Sequence, residues 1–219
     1  MTIKLSKPSK MPCKTWSLQA QETCPGSFNA DGTLVQACKG CYASEGMYVM
    51  PNTRALRAHN LQDWRRPEWE SDMVKALTPM PHFRWFDSGD LFHPRLALKV
   101  FGVMLRTPNT QHWLPTRTHK IPRIRKILTY MARLANVCVR YSSDSIDGDV
   151  DALPEAINDD NQASVIDHVS RIDMRRKGVC KAFQRDGECG PCRKCWDKTI
   201  PVITYPQHGR KMAKQERVA

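Results

Sequence analysis

No apolar run of about 18 residues occurs in this 219-residue chain, so it offers no transmembrane helix on length. There are no long polar or low-complexity tracts, which argues against a tail-dominated disordered protein, and no internal repeat is evident. The first residues, MTIKLSKPSKMPCK, carry lysines but no apolar h-region, so no secretory signal is expected. Acidic side chains are scarce outside one stretch. Residues 144–173 hold nine of them (Asp144, Asp147, Asp149, Asp151, Glu155, Asp159, Asp160, Asp167 and Asp173) against the single base Arg171. The rest of the chain sets 33 basic side chains against 13 acidic ones, within an overall formal charge of +12. A basic surface of that strength suggests an anionic partner, nucleic acid first, with a host protein as the other expectation and no membrane.

The expected location is the cytoplasm, where thiols stay reduced and nine cysteines read poorly as a disulfide framework. Eight of the nine lie within residues 13–41 and 180–195. Cys138 stands alone in the alternation NVCVRYSS, as a small buried hydrophobe would.

The chain is long enough for one domain over residues 1–219. Its parts are an N-terminal thiol loop and helix (1–60), a βα core (61–178) carrying the acidic insert 144–173, and a cysteine-rich segment with a last strand (179–219). NTRALRAHNLQDW and PEWESDMVKAL read as helices, the second with Pro67 in its first turn. From about residue 83 strands and helices alternate: HFRWFDSGDLF, PRLALKVFGVML, QHWLPTRT, PRIRKILTYMARLA, NVCVRYSSDS. ASVIDHV and IPVITYPQH follow as further strand candidates. This is the pattern of an α/β protein with a parallel sheet, and four or five strands suit a partial barrel. The polar strand ends Asp87-Ser88-Gly89-Asp90, Thr116-Arg117-Thr118-His119, Ser142-Ser143-Asp144 and Gln207-His208 would line one site, because parallel βα folds carry their chemistry there.

Cys38-Lys39-Gly40-Cys41 has the spacing that lets a loop present two sulfurs to one metal centre, with Gly40 easing the turn. Cys24 stands at the far end of a loop rich in glycine, asparagine and aspartate that can return it to the pair. Cys189-Gly190-Pro191-Cys192-Arg193-Lys194-Cys195 is a double Cys-x2-Cys run, and Cys180 can complete four ligands. Zinc and iron–sulfur ligation both fit that second group. Three ligands in the first group would leave one iron of a [4Fe–4S] cluster open, with Cys13 as an optional fourth ligand. Trp196 would shield a cluster beside Cys195 or simply pack there, while Trp16, Trp64, Trp69 and Trp113 could stack bases on a basic surface, although most tryptophans fill cores. Arg117 and His119 would meet an anionic substrate.

TCPGS…ACKGCYASEGMY, FRWFDSGDL, HWLPTRT, VRYSSD and CGPCRKCW, in this order, resemble the phage Gene Product 88 family. The C…CxxCYA element is also similar to phage proteins related to radical-SAM enzymes. The resemblance implies a phage-encoded iron–sulfur protein in the host cytoplasm, built on a radical-SAM-like partial (β/α) barrel with cysteine-rich N- and C-terminal metal-binding loops. It implies a [4Fe–4S] cluster on Cys24, Cys38 and Cys41. It also implies S-adenosylmethionine against Ser88, Gly89, Asp90 and Tyr42, and zinc or a second cluster at the C-terminal cysteines. Asp87 and Asp90 are the candidate catalytic pair, in a redox or radical enzyme acting on nucleic acid or a nucleotide-related substrate. The alternative is a non-catalytic metal protein that binds nucleic acid or a host protein. The first gap, 13 residues, is longer than the three-residue gap usual in radical-SAM enzymes, and Tyr42 follows the last cysteine where those enzymes place an aromatic before it.

Overall fold

The computed structural model describes residues 3–149 and 162–207. Within them the chain is α/β. Strands β1 (Lys14–Trp16), β2 (His82–Trp85), β3 (Gln111–Thr116), β4 (Val137–Ser142), β5 (Gln162–Asp167) and β6 (Val202–Pro206) form one sheet in chain order. Every neighbouring pair is parallel, and β1 and β6 stand at the two edges. Parallel neighbours need crossovers. The first carries α1 (Gln36–Lys39), α2 (Pro51–Asp63) and α3 (Trp69–Leu77), the next α4 (Pro94–Arg106), the third α5 (Pro122–Arg133).

The sheet has six strands rather than four or five. The strand missing from the sequence reading is β1, three residues long and recognisable only through its pairing of Lys14 with Phe83 and Trp16 with Trp85. Pro67 lies before α3 rather than in its first turn, while α2, α4 and α5 each open on a proline. There the missing N–H costs nothing and the fixed φ suits the helix. His93 caps α4 by accepting from the Arg95 amide at 3.1 Å.

One face of the sheet packs against α3, α4 and α5. Trp16, Phe83, Trp85, Leu114, Val137, Val139 and Tyr141 meet Trp69, Met73, Leu96, Val100, Ile124, Leu128 and Met131 in one core. Trp16 meets Trp69 and Trp85 edge-on, with ring centroids 5.3 and 6.4 Å apart, and such pairs add about 0.5–1.5 kcal/mol beyond their burial. His112 is buried in this core. Its Nδ1 accepts from Trp85 Nε1 at 3.2 Å and its Nε2 lies 2.9 Å from Thr107 Oγ1. Burial pushes its pKa down to about 4, so it stays neutral. Trp16, Trp64, Trp69 and Trp113 are all buried, so they fill the core, as most tryptophans do, and do not stack bases on the surface.

Alternate residues point to the second face, where Arg84, Trp113 and Cys138 stand side by side across β2, β3 and β4. Among the described residues no helix covers this face. Residues 178–200, which hold no helix or strand longer than four residues, lie across it. Trp196 packs on Trp113 with centroids 5.2 Å apart and donates to the Phe83 carbonyl at 3.0 Å. Cys138 is buried as expected, with its thiol 3.6 Å from Gln162 Oε1 and pushed up to about 11 by burial. His208 and the acidic residues Asp151, Glu155, Asp159 and Asp160 lie outside the described residues.

Candidate functional site

The loop after β1 carries Cys24, Cys38 and Cys41, and it is pinned over the C-terminal ends of the first four strands. Leu18 N donates to Ser88 O (3.0 Å), Asp90 N to Thr23 O (3.0 Å) and Ala37 N to Asp144 O (2.8 Å). Gly26 sits so close to β3's end that a Cβ there would meet the Arg117 carbonyl oxygen at 2.4 Å. Arg117 in turn donates through Nε and Nη2 to Ser143 O at 3.2 and 2.8 Å, and Lys120 pairs with Asp144 at 2.7 Å. The strand ends after β2, β3 and β4 therefore lie together, whereas Gln207, at the end of the edge strand β6, donates its amide to Asp167 O at 2.8 Å.

The 13-residue gap between Cys24 and Cys38 proves to be an excursion. Phe28 bridges Leu34 in antiparallel fashion, and Val35 N donates to Ser27 O at 2.9 Å. Asp31 accepts from Thr33 N and Oγ1 at the tip, where Gly32 takes φ +81°. Looping out residues 28–34 returns Cys24 toward the Cys38–Cys41 turn, which closes through Cys41 N to Cys38 O at 3.2 Å. Gly40 has φ −97°, so this turn does not draw on glycine's left-handed freedom. The Cys24 thiol is pushed up to about 12, first by burial, then by the charge of Asp90, with further contributions from Cys38 and Cys41. The three thiols are thus electrostatic neighbours beside a carboxylate. Among the described residues, no three His, Cys, Asp or Glu side chains converge on the spacing that holds a single ion.

Asp87 is buried at the centre of a polar cluster. Ser17 Oγ donates to its Oδ1, its amide donates back to Ser17 Oγ at 3.1 Å, and Tyr48 Oη lies 3.4 Å from Oδ2. Tyr42, half exposed, directs its hydroxyl inward to the Asp87 carbonyl at 2.7 Å, and Arg84 Nη2 reaches that hydroxyl at 3.3 Å. Arg57, 2% exposed, lies 4.8 Å from the Tyr48 ring centroid and donates to the Tyr48 carbonyl. Burial lowers the Arg57 pKa while Asp87 and the two tyrosines oppose it. For Arg84, burial works against the charge, but Tyr42, Asp87, Tyr48 and Tyr205 outweigh it and hold the guanidinium above its ordinary pKa. The Nε atoms of both arginines are buried donors with no acceptor. Arg57 therefore stands within electrostatic reach of Cys41 and Asp87, while Arg84 joins Asp87 and the two tyrosines to the thiols of the opposite face, Cys13, Cys189 and Cys195.

Asp90 is differently employed. It accepts from Thr116 Oγ1 (2.7 Å), Leu91 N (2.7 Å) and Arg117 N (2.9 Å). Burial raises its pKa against the pull of these donors. Ser88 Oγ donates to Leu18 O at 2.6 Å, and Gly89, at φ +72°, is pressed against Leu18 and Thr23. The 88–90 turn thus clamps the loops after β1, β2 and β3 together. His119 stacks on Tyr141 at 4.7 Å and burial pushes it down to about 4, so it adds no positive charge at neutral pH.

The C-terminal thiols form a second group, on the sheet's uncovered face. Cys189 feels the charges of Cys180 and Cys192, and Cys195 feels that of Cys180. Cys13, pushed up to about 11 by burial, belongs with this group: it neighbours Cys189 and packs with Trp113 and Trp196. Arg140 anchors the segment. Nε donates to Cys195 O, Nη1 to Ala163 O and Ile200 O, and Nη2 to Lys194 O and Asp197 O, at 2.8–3.4 Å. The sequence reading missed Arg140, as it missed Arg57, Arg84 and Tyr48. The signal available for two of them was an arginine at an inward position of an otherwise apolar strand, in HFRWF and CVRYS.

Fold and site together define a parallel α/β protein with a thiol-bearing loop over its strand ends and a thiol-rich strap across the opposite face from its helices. The model of the Gene product 88 family matches residues 2–198, and the chain belongs to that family. All nine cysteines fall inside the matched region and β6 falls beyond it. Neither the curated proteins nor the solved structures yielded a match. No helix among the described residues is long and apolar enough to cross a membrane.

Proposed function

We propose that the loop after β1 binds a [4Fe–4S] cluster through Cys24, Cys38 and Cys41, and that the protein is a redox or radical enzyme acting on nucleic acid or a nucleotide-related substrate. One observation carries this reading: three thiols lie together over the C-terminal strand ends of a parallel sheet ordered as in the chain. The donor set fits such a group, because thiolates are its usual ligands and three of them leave one iron open. Arg57, whose Nε is a buried donor without a partner, adds positive charge within reach of Cys41. A cluster with an open iron supplies reductive chemistry toward a sulfonium such as S-adenosylmethionine.

The chain's own residues do the rest. The Gly26 contact and the 88–90 turn fix the thiol loop over the strand ends. Asp87, held by Ser17 and Tyr48, is the carboxylate placed to orient an ammonium or hydroxyl group. Arg84 and Arg57 are placed to take an anionic group of the substrate. Tyr42 stands at the solvent border with its hydroxyl directed inward. On the outer side, exposed Arg123, Lys126 and Arg133 of α5 offer a nucleic-acid backbone a basic face.

A second reading, a non-catalytic iron–sulfur or zinc protein that binds nucleic acid or a host protein, draws on the engagement of Ser88 and Asp90 in holding loops. Protein purified without oxygen separates the two. The enzyme reading expects iron and sulfide that fall when Cys24, Cys38 and Cys41 are replaced, and a reduced-cluster spectrum that S-adenosylmethionine perturbs. Iron without that perturbation or cofactor turnover favours the binding protein, and zinc alone ends the cluster reading.

A further inference from the structure

We propose that Cys180, Cys189, Cys192 and Cys195 hold a second metal centre, a closed four-thiolate [4Fe–4S] cluster, on the face of the sheet that the helices leave uncovered. Three observations converge on this. The first is the arrangement of the thiols. Cys189, Cys192 and Cys195 follow one another at two-residue intervals, the spacing with which a short loop wraps a cubane cluster. The hook bends through Cys192 N to Cys189 O at 3.1 Å, with Gly190 at φ +53°, a conformation glycine adopts without strain. Cys180 lies nine positions before the run, yet it is the thiol that neighbours all three others. Its amide donates to Thr204 O at 2.9 Å, which sets it in place from the edge strand β6. The fourth ligand is thus brought in by the sheet rather than by the hook.

The second observation is the strap itself. Residues 178–200 have only two helical turns, Ala182–Arg185 and Lys194–Trp196, and no strand. So long a segment without regular structure is uncommon inside a domain unless it serves a site. Its apolar anchors are few, chiefly Val179, Trp196 and Ile200. A metal centre supplies the cross-link that so small a local core does not.

The third observation is the surroundings. Tyr205 Oη lies 3.2 Å from Cys195 Sγ. Trp113 and Trp196 pack beside Cys195 and screen it from water. Arg84, Arg140, Arg185 and Lys194 all act electrostatically on thiols of this group. Cations and a phenol hydroxyl around sulfur suit the net negative charge of a four-thiolate centre. Between zinc and iron–sulfur, the consecutive double spacing decides for the cluster, since structural zinc more often takes two separate Cys-x2-Cys hooks. Cys13 stands beside Cys189 but outside the four. The Cys189 amide donates to Lys10 O at 3.0 Å, so the N-terminal segment packs against the centre as a cover.

The centre is independent of the one proposed over the strand ends, and its test separates the two. The full chain with Cys24, Cys38 and Cys41 all changed to alanine is purified without oxygen and supplied with ferrous iron and sulfide. About four irons and four sulfides per chain are expected to remain, with iron–sulfur absorption and a reduced-state paramagnetic signal. The native chain is the control against misfolding: its iron and sulfide are expected to fall by half in the Cys189→Ser/Cys192→Ser variant and to hold steady in Cys13→Ala. Zinc without sulfide in the triple variant would overturn the cluster. An unchanged iron content after the Cys189/Cys192 change would overturn the site. A triple variant that keeps all the iron of the native chain would instead sink the strand-end cluster and leave this one standing.

Discussion

The two thiol groups occupy opposite structural situations. The Cys24–Cys38–Cys41 loop is fixed through its backbone, by carbonyl and amide bonds to the ends of β2 and β4 and by glycine contacts, Gly26 against the end of β3 among them, that leave no room for a side chain. The Cys180–Cys195 strap is tied by backbone at its start, to Thr204, and in its middle, to Lys10, but over residues 194–200 one buried side chain, Arg140, gathers four of its carbonyls and shares a fifth hydrogen bond with Ala163. The first region is a rim in which Cys38 is buried and Cys24 and Cys41 are half-buried. The second is a strap with all four thiols half-buried, whose last third depends on one cation. Positioning by backbone suits chemistry that must keep a ligand position open, whereas positioning by side chain and metal suits a centre that only has to stay assembled.

The largest expected effect tests the region held by a side chain. Changing Arg140 to methionine keeps much of the volume but strands the carbonyls of Lys194, Cys195, Asp197 and Ile200. Breaking such a buried charged network costs about 3–5 kcal/mol. Denaturant unfolding is expected to show that loss, and limited proteolysis to show cleavage within 178–200 before the rest of the chain. A strap that stays protected would mean the comparison is drawn wrongly.

Next in size is a pH effect in the core beneath both regions. His112 has a folded pKa of about 4 against an ordinary value of 6.5. Below 6.5 the unfolded chain takes up a proton that the folded chain refuses, so stability is full above that pH and falls as pH drops toward 4. The loss from this group is about 3 kcal/mol across the window. His119, lowered in the same direction to about 4, steepens it. Denaturant midpoints measured between pH 7 and 4 are expected to fall accordingly, and His112→Gln, which keeps an acceptor for Trp85 and a donor for Thr107, is expected to flatten the slope.

A smaller effect belongs to the rim. At Gly89 the backbone holds φ +72°, and a Cβ would lie 2.6 Å from both Leu18 Cβ and Thr23 Oγ1. Gly89→Ala is expected to cost about 2 kcal/mol and to lower iron bound at Cys24, Cys38 and Cys41 while sparing the strap. Equal loss at both thiol groups would show that the two regions are one cooperative unit.

How much of this was legible in the sequence follows from the range of the interactions involved. The prolines at the starts of α2, α4 and α5 and the apolar spacing of α5 are local signals, and those elements stand where the pattern put them. The sorting of thiols into two groups was also legible, because spacing within a loop is local. The strand β1 was not, since three residues have no pattern of their own and exist as a strand only through Phe83 and Trp85. Nor were Arg140 and Arg84, whose partners lie tens of residues away. Asp90 reads as a catalytic or cofactor-facing carboxylate because Thr116 and Arg117, which occupy it, arrive from the next strand. Cys13 could not be assigned from its position, being near Cys24 in the chain and near Cys189 in space.

The smallest expected effect bears on the feature that set this chain apart from the radical-SAM spacing. The excursion 28–34 is closed at its base by Val35 N to Ser27 O and by the Phe28–Leu34 bridge, and its tip is exposed. Its own bonds, Asn29 to Thr33 and Asp31 to Thr33, are internal. Replacing residues 28–34 with two glycines therefore removes little that the rest of the fold uses, and shortening a closed loop recovers some closure entropy. Stability is expected to change by less than about 1 kcal/mol, with iron bound by the three thiols within a factor of about two of the native content. Should iron at this loop vanish while the fold survives, the excursion would be part of the site, and the rim would owe its geometry to the hairpin as well as to the strand ends.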